Sequence, residues 1–94
     1  GVAVARGDKV TASYRGEVVG GDVFDDSAGY GVEFKAGSSK LIAGFNAALL
    51  SARVGEELEL IIPPAAGYGD VEKEDIPGGS ILRFYMRVMS VKSK

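Results

Sequence analysis

Most of the chain alternates apolar and polar residues, and only one segment departs from that period. In "SSKLIAGFNAALLSAR", residues 38–53, apolar side chains recur at spacings of one, three and four, which places them on one face of a short helix. The residues of this stripe are Leu41, Ile42, Phe45, Ala48, Leu49 and Ala52. Ser38 or Ser39 is the expected N-terminal cap. A single amphipathic helix must bury its stripe on a sheet, which restricts the chain to a few arrangements.

Five other segments have the two-residue period of half-buried strands. Gly20 and Gly21 suit a tight reversal after the first strand, and Pro63 and Pro64 must end the fourth, because proline has no N–H for a sheet. The positions predicted to face inward are Val10, Ala12, Tyr14, Val32, Phe34, Ala36, Leu58, Leu60, Ile62, Leu82, Phe84, Met86 and Val88. Three strands, one helix and two more strands predict an α+β half-barrel sheet around one helix.

Length and composition predict one globular domain, residues 1–94, with 46% hydrophobic and 26% charged residues. The net charge of −2 carries no basic runs, so we expect neither nucleic acid nor an anionic membrane as a partner. No apolar stretch approaches the roughly 20 residues of a membrane span, and the N-terminal residues lack the apolar region of a signal peptide. We expect a soluble monomer, and the sequence assigns no compartment.

Histidine and cysteine are both absent, which excludes serine triads, thiolate chemistry and nearly all zinc sites. The acidic segment "DVEKED", residues 70–75, lacks the ligand spacing of a calcium loop and predicts a solvated loop. Neither "GYG" matches a phosphate-binding glycine motif. We therefore expect no metal and no cofactor.

The segment "PPAAGYGD", residues 63–70, sets Tyr68 between two glycines directly after the two prolines. Gly67 and Gly69 permit backbone angles that would strain other residues, so Tyr68 is expected in an irregular segment. A large aromatic side chain in such a place either fills a gap in the core or reaches into a site.

Taken in order, Tyr14 and the segments "VFDDS", "LIAGF", "VGEELELIIPPAAGYGD" and "IPGGSILRF" resemble the FKBP-type peptidyl-prolyl isomerases, over about residues 7–91. The resemblance implies a five- to six-stranded antiparallel sheet wrapped on a short helix. It also implies an apolar pocket between sheet and helix that binds proline and the macrolides tacrolimus and rapamycin.

The same resemblance assigns residues to that pocket. Those expected to act in catalysis are Tyr14, Phe24, Asp25, Tyr68 and Phe84. Those expected to contact the ligand are Val32, Leu41, Ile42, Phe45 and Ile76. In the family the backbone N–H at the Ile42 position holds a ligand carbonyl, and the residue at the Phe45 position forms the pocket floor.

Simpler roles are available for most of these residues. Core packing alone would account for Tyr14, Phe45 and Phe84, which are in phase with the other inward positions. Leu41 and Ile42 are most simply residues of the apolar helix stripe. Asp25, next to Asp26, could instead form a turn or cap a helix.

The chain also departs from the family pattern. Phe45 stands where most members have tryptophan, so we expect a deeper pocket and weaker macrolide binding. The segment "DDSAGYGVEF" carries no arginine, so the family's ion pair to the Asp25 position is expected to be lost. Val32 stands where an aromatic wall is common, and Tyr30 is expected to replace it in part. The outermost N-terminal strand of the family is expected to be a stub.

Rotation about an X-Pro bond needs no nucleophile, acid or metal, because its barrier of about 18–20 kcal/mol comes from amide resonance. An apolar pocket disfavours the planar amide relative to the twisted one. We therefore predict a peptidyl-prolyl cis-trans isomerase that acts on proline-containing polypeptides without a cofactor. The alternative is a non-catalytic peptide-binding or chaperone module of the same fold; a purely structural domain would leave the clustered aromatic residues unexplained.

Overall fold

The computed structural model describes residues 1–94, in which a five-stranded antiparallel sheet packs against one short helix. In chain order the elements are β1 Lys9–Val18, β2 Val23–Asp26, β3 Val32–Lys35, α1 Ala43–Ser51, β4 Glu57–Ile62 and β5 Leu82–Lys92. This order is the predicted one, and the α+β fold class is confirmed. Neither α1 nor the short 3₁₀ turn that follows β4 has the length and apolar character of a membrane-crossing helix.

Strand β1 lies at the centre of the sheet and pairs with β5 along its whole length. On its other edge β1 pairs with β3 over residues 9–12 and with β2 over residues 15–17. Strand β4 pairs only with β5, which gives the order β2-β1-β5-β4 with β3 beside the first half of β1. Strand β1 therefore contacts three other strands, β2, β3 and β5.

The predicted alternation decides which side of each strand is buried. On β5, Leu82, Phe84, Met86 and Val88 are all buried, as predicted. On β4 the glutamates are exposed and Leu58, Leu60 and Ile62 face inward. The helix contributes Phe45, Ala48 and Leu49, and Ala52 follows in the same core. Burial of these apolar side chains is the main term that holds sheet and helix together.

The start of the helix differs from the prediction. Helix α1 begins at Ala43 with Ile42 in the cap position, and no side chain caps it. The proposed cap Ser38 lies in the preceding turn, where its hydroxyl accepts a hydrogen bond from the Lys40 N–H at 3.1 Å. The prediction of a Ser38 or Ser39 cap is therefore wrong, and Leu41 and Ile42 lie before the helix rather than within it.

The two prolines end β4 as predicted, and Pro64–Ala66 forms a short 3₁₀ turn. Gly69 has a φ of +59°, a left-handed conformation that favours glycine. Its carbonyl accepts a 2.8 Å hydrogen bond from the Gly79 N–H, which closes the long loop before β5. Tyr68 thus projects from a segment held at both ends.

Candidate active site

A small aromatic pocket of about 110 Å³ lies where the inner face of the sheet meets the start of α1. Its lining consists of Tyr14, Phe24, Asp25, Phe34, Lys40, Leu41, Ile42, Phe45, Tyr68 and Phe84. Every strand except β4 supplies a residue, together with the helix and the loop after the 3₁₀ turn. The pocket is therefore a product of the whole fold.

Five aromatic rings form a continuous cluster in this pocket. Phe45 is at its centre, with ring centroids 5.0 Å from Phe34, 5.4 Å from Phe84 and 6.2 Å from Tyr14. Phe24 joins through Phe84 at 5.6 Å and an interplanar angle of 83°. Most of these pairs meet edge to face, an arrangement that aromatic rings prefer over direct stacking. The packed rings therefore form an apolar pocket with a fixed shape.

The space for two of these rings depends on the absence of a side chain at Gly16. A Cβ atom at this position would lie 2.6 Å from Phe84 Cε1 and 2.8 Å from Phe24 Cζ. Gly16 is paired in register with both Asp25 and Phe84, so it sits directly beneath the Phe24 and Phe84 rings. Ring packing therefore requires glycine at this position. Sequence reasoning missed this requirement, because a single glycine within a strand does not show which side chains pack against it.

Tyr14 and Asp25 form the polar side of the pocket. The Tyr14 hydroxyl donates a 2.6 Å hydrogen bond to Asp25 Oδ2. Partial burial, then this hydrogen bond and the negative charge of Asp25, raise the pKa of the Tyr14 phenol to about 12. The phenol is therefore neutral at pH 7 and keeps its proton directed at the carboxylate.

Of the two adjacent carboxylates, only Asp26 forms a turn. Asp26 Oδ1 accepts a 2.7 Å hydrogen bond from the Ala28 N–H, and Ala28 has a left-handed φ of +54°. Asp25 makes no ion pair, since the two salt bridges of the protein join Arg83 to Glu17 and to Glu59. The turn-forming alternative considered for Asp25 thus belongs to its neighbour.

The pocket lining includes hydrogen-bond donors that have no acceptor within the protein, among them the Tyr68 hydroxyl and the Ile42 N–H. The hydroxyl of Tyr68 makes no hydrogen bond to another residue. The backbone N–H of Ile42 likewise finds none, because Ile42 precedes the first helical turn. The ammonium group of Lys73 lies 5.5 Å from the centre of the Tyr68 ring. Both donors are available to a bound molecule.

The structure brings eight of the ten predicted site residues into this pocket, and it leaves Val32 and Ile76 outside its lining. Val32 pairs with Ala12 in the sheet, while Ile76 is buried in the core. Their part in ligand binding stays a prediction.

Two lining residues, Phe34 and Lys40, were not predicted as part of the site. Phe34 supplies an aromatic wall of the pocket. The expectation that Tyr30 replaces the family's aromatic wall in part is wrong, because Tyr30 is 77% exposed and does not line the pocket. The inward phase of Phe34 on its strand was the available signal.

A larger depression of about 660 Å³ lies on the opposite face of the sheet. Its walls carry Arg15, Glu57, Glu59 and Arg87, and the Arg15 guanidinium covers the Tyr85 ring at 4.7 Å. Its lining mixes charged and apolar residues, whereas the lining of the aromatic pocket is mostly apolar, so the aromatic pocket is the better site for an apolar ligand. No group of three or more Asp and Glu side chains is arranged to hold a metal ion.

Comparison with known proteins agrees with this geometry. The family model for the FKBP-type peptidyl-prolyl cis-trans isomerases matches residues 1–89. This chain belongs to that family. Peptidyl-prolyl cis-trans isomerase FKBP15-1 of Arabidopsis thaliana is 40% identical over 92 residues, which are 95% of this chain and 60% of the relative. FK506-binding protein 2 of Dictyostelium discoideum is 40% identical over 93 residues, covering 96% of this chain and 70% of the relative.

The fold is similarly close to a solved structure. The crystal structure of FkpA from Escherichia coli superposes with a TM-score of 0.88 at 30% identity, over 99% of this FKBP-type chain and 44% of FkpA. The chain spans about three fifths of the length of the two Arabidopsis relatives, FKBP15-1 and FKBP15-2. The family assignment therefore rests on a match along nearly all of this chain.

Proposed function

We propose that this FKBP-type domain is a peptidyl-prolyl cis-trans isomerase that acts on exposed X-Pro segments with an apolar residue before the proline. The observation that carries the proposal is the aromatic pocket with two unpaired donors at its edge, Tyr68 Oη and Ile42 N–H. The names of the two Arabidopsis relatives support the same activity.

The size of the pocket suits one proline ring. Its volume of about 110 Å³ is well below the 300–1,000 Å³ of pockets that enclose a drug-sized ligand. A proline ring above Phe45 would replace water with the faces of Tyr14, Phe34 and Phe84. The amide on the proline nitrogen then sits in an apolar environment, which favours the less polar, twisted form over the planar one.

The two donors orient the bound peptide. Tyr68 and Ile42 can each hold a backbone carbonyl of the peptide in a turned conformation, and this removes rotational freedom that the free peptide would lose at the transition state. Tyr14 keeps its proton because its pKa is raised to about 12, so it neither adds charge to the pocket nor takes a proton. No step requires a covalent intermediate, a metal or a cofactor.

Macrolides that carry a proline-like ring are the second class of ligand that we propose, with tacrolimus and rapamycin as examples. The relatives named FK506-binding protein support this assignment. Only the ring would enter the pocket, and the rest of the macrolide would lie across its rim. Since Phe45 offers less surface than the tryptophan common in the family, we expect weaker binding than in a tryptophan-floored member.

The competing proposal is a peptide-binding or chaperone module without catalysis. The lack of an ion pair at Asp25 favours it, because the Tyr14 hydroxyl is then the only side chain that holds this carboxylate. One NMR experiment separates the two: a Leu-Pro peptide is titrated with the protein, and both chemical shifts and cis-trans magnetisation exchange are recorded. Shift changes with accelerated exchange support the isomerase; shift changes with exchange at the uncatalysed rate support the binding module.

A further inference from the structure

The segment that joins β3 to α1 holds one side of the aromatic pocket. It supplies Lys40, Leu41 and Ile42 to the lining, including the free Ile42 N–H. This segment has no regular structure, and α1 begins without a side-chain cap. Something else must therefore keep the Ile42 N–H in place relative to the pocket floor.

The segment consists of two turns in succession. The Ser38 N–H donates to the Lys35 carbonyl at 3.1 Å, and the Leu41 N–H donates to the Ser38 carbonyl at 3.2 Å. Gly37 lies in the first turn with a left-handed φ of +88°. Ser38 belongs to both turns, so a shift at this residue would be passed on to Leu41 and Ile42.

One side chain of α1, that of Asn46, forms hydrogen bonds to the segment where the two turns meet. Asn46 Oδ1 accepts a hydrogen bond from the Gly37 N–H at 2.9 Å, and Asn46 Nδ2 donates to the Ser38 carbonyl at 2.7 Å. Asn46 follows Phe45, the pocket floor, and its own N–H donates to the Ile42 carbonyl at 3.1 Å. The half-buried side-chain amide of Asn46 thus links the pocket floor at Phe45 to the segment that contains Ile42.

The chemistry at this position is specific. A side-chain amide has a donor and an acceptor on the same carbon, whereas a carboxylate offers acceptors only and an alkyl group offers neither. Both ends of the Asn46 amide are used, one by the Gly37 N–H and the other by the Ser38 carbonyl. Aspartate at this position would keep the bond to Gly37 and set a negative charge against the Ser38 carbonyl.

We infer that Asn46 is a positioning residue of the pocket: it fixes the Gly37–Ile42 segment and thereby aims the Ile42 N–H at the carbonyl of a bound peptide. The inference rests on the proposed isomerase function. A hydrogen bond to a substrate carbonyl is made before as well as during rotation, so its loss weakens binding more than it slows the bound complex.

The test compares Asn46→Ala and Asn46→Asp with a matched control at the other end of α1. In the control, Glu56→Ala, the lost group is Oε1, which accepts a 2.6 Å hydrogen bond from the Arg53 N–H. Each site is a side chain that braces a turn next to the helix, but only Asn46 braces the turn that carries pocket residues. Should Asn46→Ala fail to fold, Asn46→Asp, which keeps the acceptor, provides the comparison.

We expect Asn46→Ala to raise KM for a Leu-Pro peptide roughly 10-fold with kcat changed less than about twofold, and Asn46→Asp to fall between it and the wild type. Glu56→Ala should leave KM within about twofold even where its melting temperature falls. An unchanged KM in Asn46→Ala, or an equal rise in Glu56→Ala, overturns the inference.

Amide NMR spectra give a readout that does not depend on catalysis. In Asn46→Ala the Leu41 and Ile42 amides should shift, and the Leu41 amide, which is hydrogen-bonded to Ser38 in the wild type, should exchange faster with solvent, while the amides of residues 53–56 stay unchanged. If the wild type has no isomerase activity, the proposed function fails and these amides alone decide the inference. Unchanged Leu41 and Ile42 signals would then overturn it.

Discussion

The Tyr14 hydroxyl donates a 2.6 Å hydrogen bond to Asp25 Oδ2, across the pair formed by the first two strands. Tyr14 is the only tyrosine among the five clustered rings, and Asp25 is the only carboxylate that lines the pocket. Neither group has another side-chain partner. Because the pKa of Tyr14 is raised from 10.0 to about 12, the folded protein holds the phenol proton more tightly than the unfolded chain does.

The sign of that pKa shift predicts how stability depends on alkaline pH. The stabilisation is fully present below about pH 10 and is lost progressively as pH rises towards about 12, because the unfolded chain releases the proton first. Denaturant unfolding between these pH values should show a decline in the wild type that is smaller in Tyr14→Phe. Parallel declines in the two proteins would mean that Tyr14 has an ordinary phenol pKa.

The Tyr68 hydroxyl is predicted to act on the ligand rather than on the fold, since it has no acceptor within the protein. In Tyr68→Phe the ring stays and the donor is lost. A neutral hydrogen bond is worth about 0.5–1.5 kcal/mol, so kcat/KM and ligand affinity should fall roughly 3- to 10-fold at nearly unchanged melting temperature. A variant that melts earlier but binds as before would make Tyr68 a packing residue.

Gly16 is predicted to be intolerant of even a methyl group. The Cβ of Gly16→Ala would press on Phe84 and Phe24, and overpacking of this kind costs about 1–3 kcal/mol. Thermal unfolding should show a lower melting temperature, and ligand affinity should fall because both rings line the pocket. Gly21→Ala is the control, since its Cβ meets only Val18, at 3.3 Å, and Gly21 lies at an exposed turn. Equal effects of the two variants would refute a role for ring packing.

The pocket floor is predicted to limit macrolide affinity. Phe45→Trp adds contact surface worth roughly 25 cal/mol per Å², so rapamycin should bind more tightly in calorimetry. Phe45 is only 4% exposed and surrounded by three rings, so the melting temperature shows whether the indole is accommodated. A folded, stable variant with unchanged affinity would show that the floor does not set binding strength.

Much of the fold could be predicted from periodicity alone. The two-residue period placed Tyr14 and Phe84 on the inner face of their strands, and the change of period located the helix. The start of the helix was mispredicted because serine side chains are common caps, whereas here the turn before α1 is braced by Asn46 from within the helix. A side chain that reaches back across a turn leaves no local sequence signal.

The site could be predicted only in part, because its geometry depends on tertiary packing. Asp25 and Asp26 are adjacent and chemically identical, and only the strand geometry shows that one accepts the Tyr14 phenol while the other forms a turn. Phe34 was correctly placed inward, yet its contact with Phe45 depends on where β3 pairs with β1. The contribution of Gly16 comes from its lack of a side chain, which leaves space for the Phe24 and Phe84 rings.

The most direct test of the account is the rate of cis-trans exchange of a Leu-Pro peptide, measured by magnetisation-exchange NMR with catalytic amounts of wild-type protein and with Tyr68→Phe as the site-specific comparison. Uncatalysed exchange takes tens to hundreds of seconds at 25 °C. The account predicts exchange that accelerates in proportion to protein concentration and is roughly 3- to 10-fold less efficient with the variant. Exchange at the uncatalysed rate, at peptide concentrations that saturate the protein, would contradict it.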